Sequence, residues 1–207
     1  MNTDVEKSFT AKLAYNDKKN DGSSILINID FCSLASTQKA GNVSPLHYER
    51  ISTGSEIVPG EYLCANAKAA TSVELYFRYD SGRGAYRIWV RDGNCQGGLL
   101  ADSNNGYIYA SRNYDRPHLF WLYQPDENGT WRTITIDQYA PSTPFRIQQA
   151  DTQTNIGAYS KNIPFSGEPS IWWAYITTGS ESDKFVLNAI KKGVDYARTD
   201  VWGVGKA

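Results

Sequence analysis

The side chains able to do covalent or metal chemistry are few and scattered. There are two histidines, His47 and His118, and three cysteines, Cys32, Cys64 and Cys95. The cysteines are widely spaced and odd in number, and they form no Cys-x-x-Cys pair. That argues against a disulfide framework and a zinc site, and it predicts free thiols. No Gly-x-Ser-x-Gly, His-Glu-x-x-His or phosphate-loop pattern occurs. Asp102-Ser103-Asn104-Asn105-Gly106 opens like a calcium loop, but the twelfth position, where such a loop needs Glu, is Asn113. A turn built on Asn and Gly accounts for the stretch more simply. The expectation is a non-catalytic protein without a metal or cofactor.

The aromatics offer a different chemistry. The chain holds six Trp, fourteen Tyr and seven Phe. An aromatic face stacks on the apolar C–H face of a pyranose, while Asp, Asn or Gln hydrogen-bonds the hydroxyls. The same rings also fill β cores. In Phe120-Trp121-Leu122-Tyr123 alternate residues face opposite sides, so Trp121 and Tyr123 point outward if Phe120 and Leu122 point in. Trp172 and Trp173 are adjacent, so one of them lies outside the core of the other and is expected at an interface or a ligand.

The elements that must position these residues read as short strands. The chain has 207 residues, enough for one large domain, with 21% charged residues and a net charge of −1. That balance gives no basic field for nucleic acid or an anionic membrane. No apolar run is long enough to span a bilayer. The opening MNTDVEKSFTAKL has no apolar stretch of signal-peptide length, which predicts a cytoplasmic or leaderless secreted protein. FTAKLAY and SILINIDF flank Asp21-Gly22 and predict an N-terminal hairpin, followed by a small, polar linker over residues 33–45.

Beyond the linker a hairpin recurs. VELYFRY-DSGRG-AYRIWV, HLFWLYQ-PDENG-TWRTITI and SIWWAYI-TTGSESD-KFVLNAI begin at Val73, His118 and Ser170. A fainter strand end precedes each: Cys64-Ala65-Asn66, Leu100-Ala101-Asp102 and Gln149-Ala150-Asp151. The final stretch, FVLNAIKKGVDYA, lacks a clean helical spacing and reads as a strand and a tail. Three units of about 45–50 residues, each of four short strands, are too few for a propeller. Closed on a pseudo-threefold axis they make a β-trefoil, with a β-sandwich or jelly roll as the alternative. The expected layout is an N-terminal β-hairpin extension and linker at residues 1–43, an all-β trefoil domain at 44–192 and a tail at 193–207.

GLLADSNNGYIYASRNYDRPHLFWLYQPDENGTWRTI resembles one repeat of the ricin-B-type or fascin-type β-trefoils, and the resemblance spans roughly residues 46–190. The Gln-x-Trp signature of the ricin type is not present: the matching places read Leu119-Phe120-Trp121 and Ser170-Ile171-Trp172. The resemblance implies a lectin in which an Asp ends the first strand of a repeat and an aromatic follows. By that pattern one sugar site uses Asp102, Asn104 or Asn105, an aromatic such as Tyr114 or Trp121, and Asn128. A second uses Asp151, Asn155, an aromatic such as Phe165 or Trp172, and Tyr175. In the first repeat Asn66 stands where Asp is expected and Lys68 follows, so that repeat is expected to be inactive. The implied partners are glycans or glycoproteins, bound multivalently, with homodimer pairing through the free edges of the N-terminal hairpin. The alternative is a protein-binding trefoil, such as a protease inhibitor or a toxin receptor-binding unit, working through its loops.

Overall fold

The computed structural model describes residues 3–18, 23–36, 55–114, 118–141, 143–159, 173–179 and 184–195. Among these the chain is all-β, apart from a short helix, α1 (Thr3–Lys7), and a 3-10 turn at Ile136–Gln138. The strands are β1 (Phe9–Lys18), β2 (Ser24–Ser36), β3 (Ser55–Pro59), β4 (Tyr62–Asn66), β5 (Glu74–Asp80), β6 (Ala85–Val90) and β7 (Leu99–Asp102). They continue with β8 (Ile108–Ser111), β9 (Phe120–Pro125), β10 (Trp131–Ile134), β11 (Arg146–Gln149), β12 (Asn155–Ala158), β13 (Trp173–Thr178) and β14 (Phe185–Lys192). Their pairings are antiparallel and join them in one sheet. None of the described helices is long and apolar enough to cross a membrane.

Six of the strands form a ring. β1 pairs with β5, β5 with β6, β6 with β9, and β9 with β11. Phe145, just before β11, bridges Phe185 at the start of β14, and β14 returns to β1. The period-two pattern of these strands turns one side of each inward. Phe9, Leu13, Leu75, Phe77, Ile88, Phe120, Leu122, Ile147, Phe185 and Leu187 are buried there in a single cluster. Phe9 stacks on Phe77 at 4.5 Å between ring centroids, and Tyr86 meets Phe9 edge-on at 5.6 Å. Burying each such side chain stabilises the fold by about 1.5–3 kcal/mol. Tyr86 takes a hydroxyl into this core, where its oxygen accepts the Ile136 N–H at 3.1 Å, and burial pushes its phenol well above the ordinary tyrosine range.

Three hairpins are set on the ring: β2 with β4, β7 with β8, and β12 with β13. They also pair with one another. Tyr62 of β4 pairs with Tyr109 of β8, β4 pairs with β13, and Tyr107 bridges Thr177. One tyrosine from each hairpin region meets the other two. Tyr62–Tyr107, Tyr62–Tyr175 and Tyr107–Tyr175 are edge-on at 5.8, 5.6 and 5.2 Å. Trp173 lies beside them, 4.4 Å from Tyr175, and its Nε1–H donates to Cys32 Sγ at 3.1 Å. Cys64 donates to the Cys32 carbonyl at 3.2 Å, and burial pushes its thiol well up. All three cysteines are free, as their spacing predicts.

Several sequence expectations hold at this level and several need correction. The hairpins at β5–β6 and β9–β10 form where the sequence places them, with Gly84 and Gly129 at positive φ in their turns. The stretch at 185–192 is a strand. The third hairpin does not form: β13 pairs with β12 and β4, whereas β14 pairs with β1. The N-terminal hairpin is not an extension either. β1 is hydrogen-bonded to β2, β5 and β14, and Phe9, Ala11 and Leu13 are fully buried. Ser33–Ser36, expected in a linker, continue β2 and pair with β3. The Asp21-Gly22 turn, residues 37–54, the 161–169 loop, Trp172 and the tail from 196 lie outside the described residues.

Candidate functional site

β9 lies between β10 and β11, and β11 pairs in turn with β12. Along β9 the buried residues are Phe120, Leu122 and Gln124, so Trp121, Tyr123 and Pro125 alternate onto the opposite, partly exposed face. β11 repeats the pattern, with Ile147 and Gln149 buried and Arg146 and Gln148 outward. The register then fixes who meets whom. Gln148 is opposite Trp121 on one side and Asn155 on the other, while Tyr123 is opposite Arg146 and Thr133. Trp131 stands opposite Pro125 at the β10 edge.

The result is a row of one aromatic and two carboxamides, Trp121–Gln148–Asn155, with a second aromatic group alongside. Trp121 and Tyr123 are edge-on at 6.4 Å. The Arg146 guanidinium lies over the Trp131 ring, 3.6 Å from its centroid. Gln148 Nε2 donates to Asn155 Oδ1 at 3.2 Å, which fixes both amides and leaves Gln148 Oε1 as an acceptor and Asn155 Nδ2 as a donor outside that bond. The β9–β10 turn holds the aromatic strand in place. Asp126 Oδ1 accepts the N–H groups of Asn128 and Thr130 at 2.9 and 3.0 Å, and Arg132 pairs with its other oxygen at 2.8 Å. Those amides, chiefly that of Thr130, hold the Asp126 carboxyl below its ordinary value.

Asp102 ends β7, half-buried, with its Oδ1 3.1 Å from His118 Nδ1. Gln149 Nε2 is 2.7 Å from the same ring nitrogen, and Gln149 Oε1 accepts from Thr152 at 3.0 Å. A single nitrogen cannot both accept from the amide and donate to the carboxylate. The tautomer of the ring sets which of the two contacts is the hydrogen bond. This group ties the ends of β7 and β11 to the residues that lead into β9. Asp102 is therefore engaged in positioning the strand that carries Trp121.

The other expected site residues are dispersed. Asn104 and Asn105 are exposed in the β7–β8 turn, where Gly106 at φ 79° and the Ser103 hydrogen bonds to Gly106 and Tyr107 set the backbone. Asn128 is exposed in the β9–β10 turn, and Asp151 in the turn after β11. Tyr114 is 44% exposed but leans on Trp89 at 5.5 Å and donates its hydroxyl to the Gly97 carbonyl, away from the β9–β11–β12 face. Tyr175 is only 4% exposed, inside the three-tyrosine contact, so it has no face to offer a ligand. Trp173 is fully buried, and Trp172 lies outside the described residues. The structure thus brings together Trp121 from one expected site and Asn155 from the other, and adds Gln148, Tyr123, Trp131 and Arg146. Alternation along β9 and β11 marks the outward residues. That β11 lies beside β9 has no local signal.

A cleft of about 330 Å³ opens elsewhere, between β2, β3 and the segment after β4, with Asp30, Asn66, Lys68 and Asn94 among its lining. Its polar groups are largely spent on backbone. Asp30 Oδ1 accepts the Phe31 N–H, Asn66 Oδ1 the Lys68 N–H, and Asn94 Nδ2 donates to the Gly60 carbonyl. The β9–β11–β12 face combines ring surface and amides more openly and is the better candidate. No protein-family model, curated protein or solved structure matches this chain.

Proposed function

We propose that the chain is a β-trefoil that binds carbohydrate without catalysis, through the outward face of β9, β11 and β12. The fold reading rests on the six-strand ring, the three hairpins set on it, and the contact of Tyr62, Tyr107 and Tyr175 where those hairpins meet. In this reading the repeats are β1 to β5, β6 to β9 and β11 to β14, with β3 and β10 as additions. The first repeat then starts at Phe9 rather than after residue 43. The β5–β6 hairpin, which looked like one unit in the sequence, is the junction between two repeats.

The observation that carries the binding reading is the row Trp121–Gln148–Asn155. It sets an indole beside two amides locked in one orientation by the 3.2 Å bond between them. A pyranose laid on the indole meets both a donor and an acceptor without side-chain reordering, which limits the entropic cost of binding. Asp102 and His118 support the row instead of touching the sugar.

A glycan array probed with the wild-type protein, Trp121→Ala and Asn155→Ala tests this. We expect binding to a restricted set of glycans, weakened at least about tenfold by either change, as loss of a stacking or hydrogen-bonded contact implies. An array without a bound glycan, or binding that both variants retain at full strength, overturns the reading.

A further inference from the structure

The β5–β6 hairpin sets two arginines against each other. Arg78 and Arg87 are direct partners in its register, so they leave the sheet on the same side. Side chains opposed in this way start about 4.5–5.5 Å apart at Cβ, and like charges so placed repel. Asp80 answers only one of them: its Oδ2 accepts from Arg87 Nη2 at 3.0 Å. Arg78 is half-buried and makes no hydrogen bond, ion pair or ring contact among the described residues.

The surrounding charges do not answer Arg78 either. Arg83 is exposed in the turn of the hairpin and adds another guanidinium. Asp4 of α1 reaches that turn, where its Oδ1 accepts the Ser81 N–H at 3.1 Å. Lys7 lies over the Tyr79 ring, and Tyr79 alternates to the other side of β5 from Arg78. Asp195 follows Val194, whose carbonyl accepts the Tyr76 O–H, but it is exposed and makes no ion pair among the described residues. The donors of the pair are short of acceptors as well. Arg87 Nε is buried without a hydrogen-bond partner, and Asp80 engages Nη2 alone. An unmet buried donor is costly. The flank of the pair is apolar: Tyr76 and Trp89, the next opposed residues on the same side, are 1% and 7% exposed. A charge contact made against that flank is stronger than one in open water.

We infer that Arg78 and Arg87 form a binding site for a tetrahedral oxyanion, a sulfate or phosphate that is free or carried on a small molecule. A carboxylate has two coplanar oxygens and suits a single fork. A sulfate or phosphate group points its oxygens in several directions and can accept from both guanidiniums at once, which cancels the repulsion between them. The pair is open to such a ligand, since the Arg87 side chain is 38% exposed. The site does not depend on the carbohydrate reading of the β9–β11–β12 face.

The test is an NMR titration of the full chain with sodium sulfate, sodium phosphate, galactose 6-sulfate and glucose 6-phosphate. Sodium chloride and sodium acetate at matched ionic strength are the controls, because screening alone also moves charged groups. We expect at least one sulfate or phosphate ligand to give saturable shifts centred on Arg78 and Arg87. Arg78→Gln should weaken that binding about tenfold or more, the loss typical of a hydrogen bond to a charged group. Arg78→Lys should retain part of it, because an ammonium keeps the charge but not the fork. Asp80→Asn should tighten it, because the competing carboxylate is gone and Arg87 Nη2 is released. Arg78 has no partner to lose, so Arg78→Gln should melt at the wild-type temperature, which checks that it folds.

Esters that bind more tightly than the inorganic ions assign the site to a sulfated or phosphorylated small molecule, and equal affinities assign it to the free ion. Either result supports the inference. Shifts no larger than those from chloride, or acetate bound as tightly as sulfate and phosphate, overturn it. So does an affinity that Arg78→Gln leaves intact or that Asp80→Asn fails to raise. Glycan binding through Trp121 stands or falls separately, and Arg78→Gln should not change it.

Discussion

Two aromatic groups in this molecule are made of the same residue types and meet opposite fates. Where the three hairpins join, Tyr62, Tyr107, Tyr175 and Trp173 press together edge-on, and Trp173 is fully buried. On β9 and β10, Trp121, Tyr123 and Trp131 stay half-exposed, interleaved with Arg146 and Gln148. Residue type does not separate the groups. What separates them is what lies across the strand. β13 pairs with β4 and its Tyr175 meets the tyrosines of two other hairpins, whereas the outward residues of β9 stay partly exposed. An aromatic becomes core when three elements converge on it and stays partly exposed when only one sheet carries it.

The largest expected effect comes from opening the buried group. Trp173→Ala removes a fully buried indole that contacts Tyr175 and donates to Cys32. The cost should be about 3–5 kcal/mol, the usual range for a buried Trp or Phe cut to Ala. In a chain of this size that lowers the melting temperature by roughly 6–20 °C. Trp121→Ala on the open face should shift the melt by only a few degrees while removing glycan binding. Equal losses of stability for the two variants would break the distinction between the groups.

The comparison also shows which parts of the fold the sequence discloses. The β5–β6 and β9–β10 hairpins are legible because both strands and the turn are contiguous, and Gly at positive φ marks the bend. The misread third hairpin has strands just as regular, but β13 and β14 are neighbours in sequence and not in space. β13 takes β4 as a partner and β14 takes β1, each more than a hundred residues earlier. Nothing local encodes such a choice. β1 shows the same limit. The spacing of Phe9, Ala11 and Leu13 says that one side is buried, but not that β5 and β14 are what bury it. The candidate face inherits this mixture. Trp121 and Tyr123 are legible from alternation in one strand. Gln148 and Arg146 become visible only once β11 is seen beside β9. Tyr175 is buried because its strand carries aromatics on a side that three hairpins close.

A mid-sized effect tests how firmly the ring core supports the open face. Tyr86→Phe keeps the ring packing against Phe9 and Phe77 but removes the oxygen that accepts the Ile136 N–H. Ile136 is buried, so its N–H is left without that partner at a cost of about 1–3 kcal/mol. Chemical denaturation should show a lower midpoint with an unchanged slope. Because Ile136 lies two residues past the end of β10, glycan affinity should fall slightly as that strand loosens. An unchanged midpoint would mean that the hydroxyl contributes nothing net to this junction.

The smallest expected effect is a pH response confined to the open face. Asp126 has its carboxyl lowered mainly by the Thr130 N–H, then by that of Asn128 and by Arg132. A folded-state value below the unfolded one means that the carboxylate form stabilises the turn. That contribution is present above the ordinary aspartate range and is lost as pH falls through the lowered value. The buried tyrosine group has no carboxylate among its members and should not respond over that window. Amide chemical shifts and hydrogen exchange at Asn128 and Thr130 should therefore change on acidification, while Trp173 and Tyr175 stay constant until the whole fold yields. Asp126→Asn should remove the acid response and leave the Asn128 and Thr130 amides in faster exchange at neutral pH. If those amides and the tyrosine group respond together in the wild-type chain, the hairpin that carries Trp121 and Trp131 is coupled to the core more tightly than its exposed turn implies. The open face would then be part of the same cooperative unit as the closed one.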